Sequence, residues 1–240
     1  MKKNLLVSLC LGTVFAVAAD ANASSCQIRS GAYAGVSAGL SILTGKSQFT
    51  YVNSDGPGQA QAINGNLSKT SPAVGLFAGY GMKFSNFWAA AEAFYQFDRL
   101  NAKHEYQLQG VGDAQITTNK STGAFGAAVH LGFVPNNNCI AYAILGVEAR
   151  RFNVKYSATD SAIVAAVINK KYTSFAIAPG VGVRFALSKD LSFRTEYKYA
   201  MHKKKNFANT KANPGGGNDT VTLKQSPSVH SVNVGLVYSF

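Results

Sequence analysis

From Ala32 onward the chain alternates between apolar and polar or small residues. Ala34, Val36, Ala38, Leu40 and Ile42 are apolar, and Tyr33, Gly35, Ser37, Gly39 and Ser41 stand between them. A period of two predicts a strand with one apolar face, here over residues 32–43. The rhythm returns over residues 72–84, 87–98, 122–134, 139–151, 173–187 and 191–201. It ends in residues 230–240, where Val232, Val234, Leu236, Tyr238 and Phe240 share one parity. Their neighbours Ser231, Asn233, Gly235 and Ser239 share the other, with Val237 the exception.

The connections between these eight strands also alternate. Residues 85–86, 135–138 and 188–190 are short turns, whereas 44–71, 99–121, 152–172 and 202–226 are long and polar. Soluble sandwiches follow no such rule, while membrane barrels have short periplasmic turns and long external loops. The pattern predicts an all-β fold: an eight-stranded antiparallel up-and-down transmembrane β-barrel with four long external loops and three short periplasmic turns. Both chain ends are then periplasmic. The apolar run at residues 162–168 fits a short helix, a strand extension or a self-packed loop. Pro179 removes a ladder hydrogen bond, so a bulge or kink is expected there.

The first residues set the compartment. Lys2 and Lys3, an apolar run over residues 5–19, and Ala21-Asn22-Ala23 read as a secretory signal peptide cleaved after Ala23. That assigns 1–23 to the signal and 24–240 to the barrel domain, with a short periplasmic tail at 24–31. The apolar run is shorter than the ~20 residues of a membrane helix, and nothing later reaches that length. The chain is 47% hydrophobic and only 14% charged, which suits strands that face lipid on one side. Its formal charge of +12 stays strongly basic once Lys2, Lys3 and Asp20 depart. Export makes nucleic acid an improbable partner for this charge. The phosphates of lipopolysaccharide are the acidic partner expected at a Gram-negative outer membrane.

The opposite parity carries the chemistry. Lys83, Glu92, Asp98, Glu148, Arg150, Arg184, Arg194, Glu196 and Lys198 fall on inward positions, as does His130. Eight strands enclose a lumen only wide enough for side chains. Charges confined there must pair, because an unpaired buried charge is costly. A salt-bridged lumen is therefore expected, with a narrow ion pathway gated by the same pairs as the competing reading. Catalysis is poorly supported. Ser228 and His230 share an outward face, as a lipid-cleaving barrel enzyme would require, but no carboxylate accompanies them to complete a triad. The histidines have no metal-ligand spacing and no phosphate-cradling glycine loop is present, so no cofactor is expected. The cluster Lys203-Lys204-Lys205 is the densest positive charge in the polar segments and a candidate contact for lipopolysaccharide.

Val237-Tyr238-Ser239-Phe240 resembles the C-terminal assembly signal of bacterial outer-membrane proteins. The stretches 180–185 (Gly-Val-Gly-Val-Arg-Phe) and 191–199 (Leu-Ser-Phe-Arg-Thr-Glu-Tyr-Lys-Tyr) resemble the sixth and seventh strands of small OmpA-type barrels, a group that includes the opacity-protein porin-like family. The resemblance spans nearly the whole mature chain. It implies outer-membrane residence after Sec-type export, a monomer, and handling by periplasmic chaperones and the assembly machinery through Tyr238 and Phe240. It implies surface roles, in membrane integrity or contact with host ligands, better than it implies an activity. No cell-wall-binding domain follows Phe240, which puts a cell-wall anchoring role in doubt.

Two cysteines survive signal removal, Cys26 on the tail and Cys139 beside a short turn. Both lie on the periplasmic side of this topology, in a compartment that can oxidise them. They are open to two readings, a disulfide tying the tail across the barrel mouth or two separate thiols. Intact mass with and without reductant distinguishes them: reduction adds about 2 Da if the link exists and nothing if it does not.

Overall fold

The computed structural model describes residues 27–53, 61–107, 114–136, 138–158, 168–212 and 218–240. Among the described residues ten strands form one antiparallel sheet: β1 (Gly31–Asn53), β2 (Gln61–Phe84), β3 (Phe87–Asp98), β4 (Leu100–Gln107), β5 (Ala114–Asn136), β6 (Cys139–Ala158), β7 (Ile168–Ala186), β8 (Leu191–His202), β9 (Lys205–Ala212) and β10 (Asn218–Ser239). Eight of them, β1-β2-β3-β5-β6-β7-β8-β10, close into a ring because β10 also pairs with β1. That closing ladder runs from Tyr33↔Ser239 to Asn53↔Asp219. β4 continues the course of β3 and pairs with β5, and β9 continues β8 and pairs with β10.

The short turns fall where expected. Ser85 adopts a positive φ of 54°, as a two-residue hairpin between Phe84 and Phe87 needs. The long polar segments are corrected in kind. β1 runs on to Asn53 and β2 begins at Gln61, so much of the expected loop is strand, and the other three long hairpins extend likewise. Of the run at 162–168, all but Ile168 lies outside the described residues, and Ile168 opens β7.

These extensions escaped the pattern because the apolar residues change sides. At membrane level the outward row is apolar and exposed, as with Val74, Leu76, Tyr80, Met82 and Phe84 on β2. Above it the inward row is apolar: Leu43 and Phe49 on β1, Phe152 and Val154 on β6, and Val221, Leu223 and Val229 on β10 are all buried. The outer half thus has the section of a water-soluble barrel and the inner half that of a membrane barrel. From Val74 to Phe84 the lipid-facing row spans eleven residues, matching the ~9–11 of a tilted spanning strand.

Pro179 introduces no register shift. Ile177↔Met201 and Gly180↔Lys198 keep one register, with the β7–β8 ladder interrupted between them. A bulge lies instead between Ser121 and Ala124 on β5. Gly123 sits there at φ 143°, and a Cβ on it would meet the Gln96 carbonyl at 2.6 Å. A larger side chain fails for another reason at Gly35, where a Cβ would lie 2.2 Å from both the Leu236 carbonyl oxygen and the Phe77 ring. Glycines of this kind make room for the large inward side chains across the lumen.

The tail reaches the periplasmic mouth. Ile28 is buried in one cluster with Val134, Ile140, Ala186 and Val237, and Arg29 pairs with Asp190 at 3.2 Å. Cys139 opens β6 as a half-buried thiol, while Cys26 lies outside the described residues. At the other terminus, the Phe240 N–H donates to the Ala32 carbonyl at 3.0 Å. Phe240 is the most exposed large apolar residue described, at 73%, and lies edge-on to Tyr238. Deleting Phe240 therefore removes one hydrogen bond but a whole exposed aromatic. Outer-membrane levels of the truncated chain are expected to fall sharply, while the fraction that inserts resists heat like the parent; immunoblotting of membrane fractions and heat-dependent gel mobility measure the two effects.

Candidate functional site

The lumen at membrane level holds two charged clusters, stacked along the barrel axis. The lower one is centred on Arg194 of β8. Its Nη1 donates to Glu92 Oε2 at 2.5 Å and its Nη2 to Oε1 at 3.1 Å, the two-pronged grip that suits guanidinium and carboxylate. Glu196 lies 3.3 Å from the same guanidinium and accepts a hydrogen bond from the Tyr142 hydroxyl at 2.8 Å. The Tyr33 hydroxyl donates to Glu92 at 3.2 Å. Aromatic faces hold the cations from below: Arg194 lies 3.3 Å from the Phe77 ring centre and Lys198 Nζ 4.0 Å from that of Phe94.

Arg184 and Arg194 are directly opposite each other on β7 and β8. Like charges so placed repel. The conflict is relieved by divergence. Arg194 turns to Glu92, while Arg184 Nη2 donates to Ser239 Oγ at 2.8 Å and Ser192 Oγ at 3.3 Å and its guanidinium lies over the Tyr33 ring. Arg184 thereby stitches β7, β8 and β10 together beside the closing seam.

The upper cluster is centred on Arg150 of β6, whose side chain is wholly buried. Its Nη1 donates to both oxygens of Asp98, at 2.7 and 2.8 Å, and its Nε lies 3.5 Å from Glu148. Asp98 also accepts from Ser41 Oγ at 2.9 Å, and Gln96 donates to that hydroxyl at 2.6 Å. Glu148 meets His202 Nε2 at 3.3 Å.

Of the expected lumen charges, eight are brought together: Glu92, Asp98, Glu148, Arg150, Arg184, Arg194, Glu196 and Lys198 are each under 10% exposed. Lys83 is not one of them. It sits half-buried at the periplasmic rim, where its backbone N–H donates to Ser30 Oγ at 2.9 Å. Four carboxylates thus face four cations. The signal for His202 was present, since it shares parity with Arg194, Glu196 and Lys198 one pair above Met201. Tyr33, Tyr142 and Gln96 also have inward parity, but a tyrosine at a strand position does not by itself declare a carboxylate partner. His130 packs in a ring stack with Tyr142, centroids 5.1 Å apart, beside Trp88.

On the outward face, His230 Nδ1 and the Tyr197 hydroxyl are 2.8 Å apart, and the Tyr199 hydroxyl donates to Ser228 at 3.3 Å. Among the described residues no carboxylate accompanies Ser228 and His230, and no group of His, Cys, Asp and Glu is arranged to hold a metal. Lys203 and Lys204 are exposed in the link between β8 and β9, and Lys205 begins β9.

Removing Arg150 strands two buried carboxylates at once. Arg150→Ala is expected to cost about 3–5 kcal/mol of stability, and Arg150→Ala/Asp98→Ala less than the single change. Urea titration of the refolded barrel in vesicles, followed by tryptophan fluorescence, checks the order of the two.

The family model for the outer membrane protein beta-barrel domain matches residues 7–240. The fold is similar to outer membrane protein OprG from Pseudomonas aeruginosa, at 13% identity over 90% of this chain and 99% of that one, with a TM-score of 0.52. Similarity extends to Ail, the attachment invasion locus protein of Yersinia pestis (11% identity, 88% of this chain, 100% of that one, TM-score 0.42). It also extends to outer membrane protease OmpT from Escherichia coli (9% identity, 88% of this chain, 97% of that one, TM-score 0.47). No curated protein sequence matches the chain.

Proposed function

The chain belongs to the outer membrane protein beta-barrel domain family, and from that premise we propose that it is a closed-lumen, non-enzymatic barrel that works at its surface. In this reading it reinforces the outer membrane and presents its extended hairpins to lipopolysaccharide and to host ligands, with Lys203, Lys204 and Lys205 adding long-range attraction to anions. Tyr238 and Phe240 serve as the address read by chaperones and the assembly machinery.

The balance of the lumen carries the proposal. Four carboxylates and four cations occupy an interior that eight strands leave only side-chain wide. Apolar layers lie at both ends of this network: Ile28 with Ile140 and Val237 at the periplasmic mouth, and Leu43, Phe152, Phe49 and Leu223 toward the outside. An ion crossing it would have to break charge-assisted bonds and then shed water against hydrocarbon.

Planar-bilayer recording tests the idea. The refolded full chain is expected to give no steady single-channel steps, and Glu92→Ala/Arg194→Ala, which removes the central ion pair of the lower cluster, to conduct more than the parent. Steady steps from the parent would establish the narrow-pore reading instead.

A further inference from the structure

The register of the upper sheet places six cations on one outward wall: Arg99 after β3, Lys103 on β4, Lys120 on β5, Arg151 and Lys155 on β6, and Lys171 on β7. All six are exposed. They begin where the lipid-facing row ends. Arg99 is two residues beyond Phe97, Thr173 opposite Arg151 is two beyond Phe175, and Phe97 and Phe175 are exposed apolar residues. At ~3.4 Å per residue on a strand tilted by about 40°, the cations stand roughly 5, 10 and 15 Å above that row. The polar headgroup layer adds about 5–8 Å to each side of the hydrocarbon, so Arg99 and Arg151 stand at its depth and the other four cations just outside it.

Their arrangement is staggered. Arg151 faces Thr173, Lys171 faces Asn153, and Lys120 lies between Asn101 and Asn153. Lys155 lies between Thr118 and Asn169, and Lys103 also faces Thr118. No two cations are directly opposed, which avoids the strongest repulsion. Diagonal neighbours remain ~7–8 Å apart, a gap that one phosphate group spans with an oxygen toward each cation. Among the residues whose side chains are described, the only side-chain carboxylate outside the lumen is Asp190, at the opposite, periplasmic end, while Glu105 follows Lys103 by two residues on β4 and Asp219 lies near the start of β10.

The opposite wall differs. Where its lipid-facing rows end, β10, β8 and β1 present His230, Ser228, Tyr199 and Thr44, groups without formal charge, and its exposed cations Lys46 on β1 and Lys224 on β10 stand higher, each facing uncharged partners.

We infer that the β4–β7 wall is a binding site for the phosphates of an anionic glycolipid in the outer leaflet, with lipid A phosphate as the chemistry recognised. The cations project sideways at and just above headgroup depth rather than upward from the hairpin tips. A leaflet phosphate meets that direction of approach, whereas a soluble polyanion reaches the tips first. The inference rests on the proposal that the barrel works at its outer surface and names the partner and the residues. Bound phosphate would replace the divalent cations that otherwise bridge neighbouring headgroups, and would fix one rotational face of the barrel against its lipid.

Native mass spectrometry of the refolded full chain in micelles doped with bisphosphorylated lipid A tests it. Lys120→Gln/Arg151→Gln/Lys171→Gln is expected to retain lipid at least ~10-fold more weakly than the parent, at about one surface-charge increment per cation removed. Lys203→Gln/Lys204→Gln/Lys205→Gln loses the same charge and is expected to change retention less than ~3-fold. The charge-keeping Lys120→Arg/Arg151→Lys/Lys171→Arg should behave as the parent, and heat-dependent gel mobility shows that each variant is folded. Equal losses from the two glutamine triples would overturn the inference. So would retention of fully dephosphorylated lipid A as strong as that of the bisphosphorylated form, or wall-dependent binding of a soluble sulfated oligosaccharide without lipid A binding. Bilayer recording on the same preparations separates the two proposals: steady channel steps end the closed lumen and leave the wall intact, while unaffected lipid retention ends the wall and leaves the lumen.

Discussion

Backbone hydrogen bonding across the β1–β10 seam is the constraint on which the rest of the structure depends. In hydrocarbon an unpaired N–H or C=O has no water to turn to, so a sheet at membrane depth must close on itself. Twenty-one successive pairs, from Tyr33↔Ser239 to Asn53↔Asp219, accomplish this. Closing with eight strands in the ring then dictates the lumen. The interior is too narrow for bulk water, so the inward charged side chains turn to one another.

The charged clusters are the response to that narrowness. Arg150 satisfies Asp98 and approaches Glu148, and Arg194 holds Glu92 and Glu196, so each guanidinium serves two carboxylates from different strands. Such pairs add little net stability compared with well-packed apolar residues, because desolvation offsets most of the attraction. They set register. A one-residue slip would send a carboxylate into lipid and an alanine into the lumen. Family membership establishes the outer-membrane barrel, and the arrangement of charge inside it and on its outer wall supports the functional proposals.

Where the lipid-facing period was unbroken, the sequence was a good guide. Strand β3 ends at Phe87 and Asp98 as the alternation predicts, and eight of nine proposed lumen charges are inside. Lys83 failed because its parity is inward but its height is at the rim, and parity carries no information about depth. The strand extensions failed because Ile42 and Leu43 are adjacent apolar residues on opposite faces, so the apolar series passes from even to odd positions in mid-strand. A reader following the outward face sees the pattern stop. His202 was missed at the same boundary, being placed in a loop when β8 carries it one pair further to Glu148. The basic wall was invisible for a third reason: its six members come from four hairpin arms, and only register brings them to one face.

The exchange of apolar residues from the outer face to the inner one also bears on how the chain acquires its shape. In water, the segments above the exchange can bury their apolar row by curling inward, as a soluble barrel does. The segments below would have to curl the opposite way to hide theirs, exposing nothing but charge-bearing positions to an interior without solvent. No single compact form satisfies both demands in one medium. The chain is therefore frustrated until two solvents meet across its length, and the bilayer surface acts as an extra folding instruction, written at Ile42–Leu43 and Val229–Val232 and readable only in its presence.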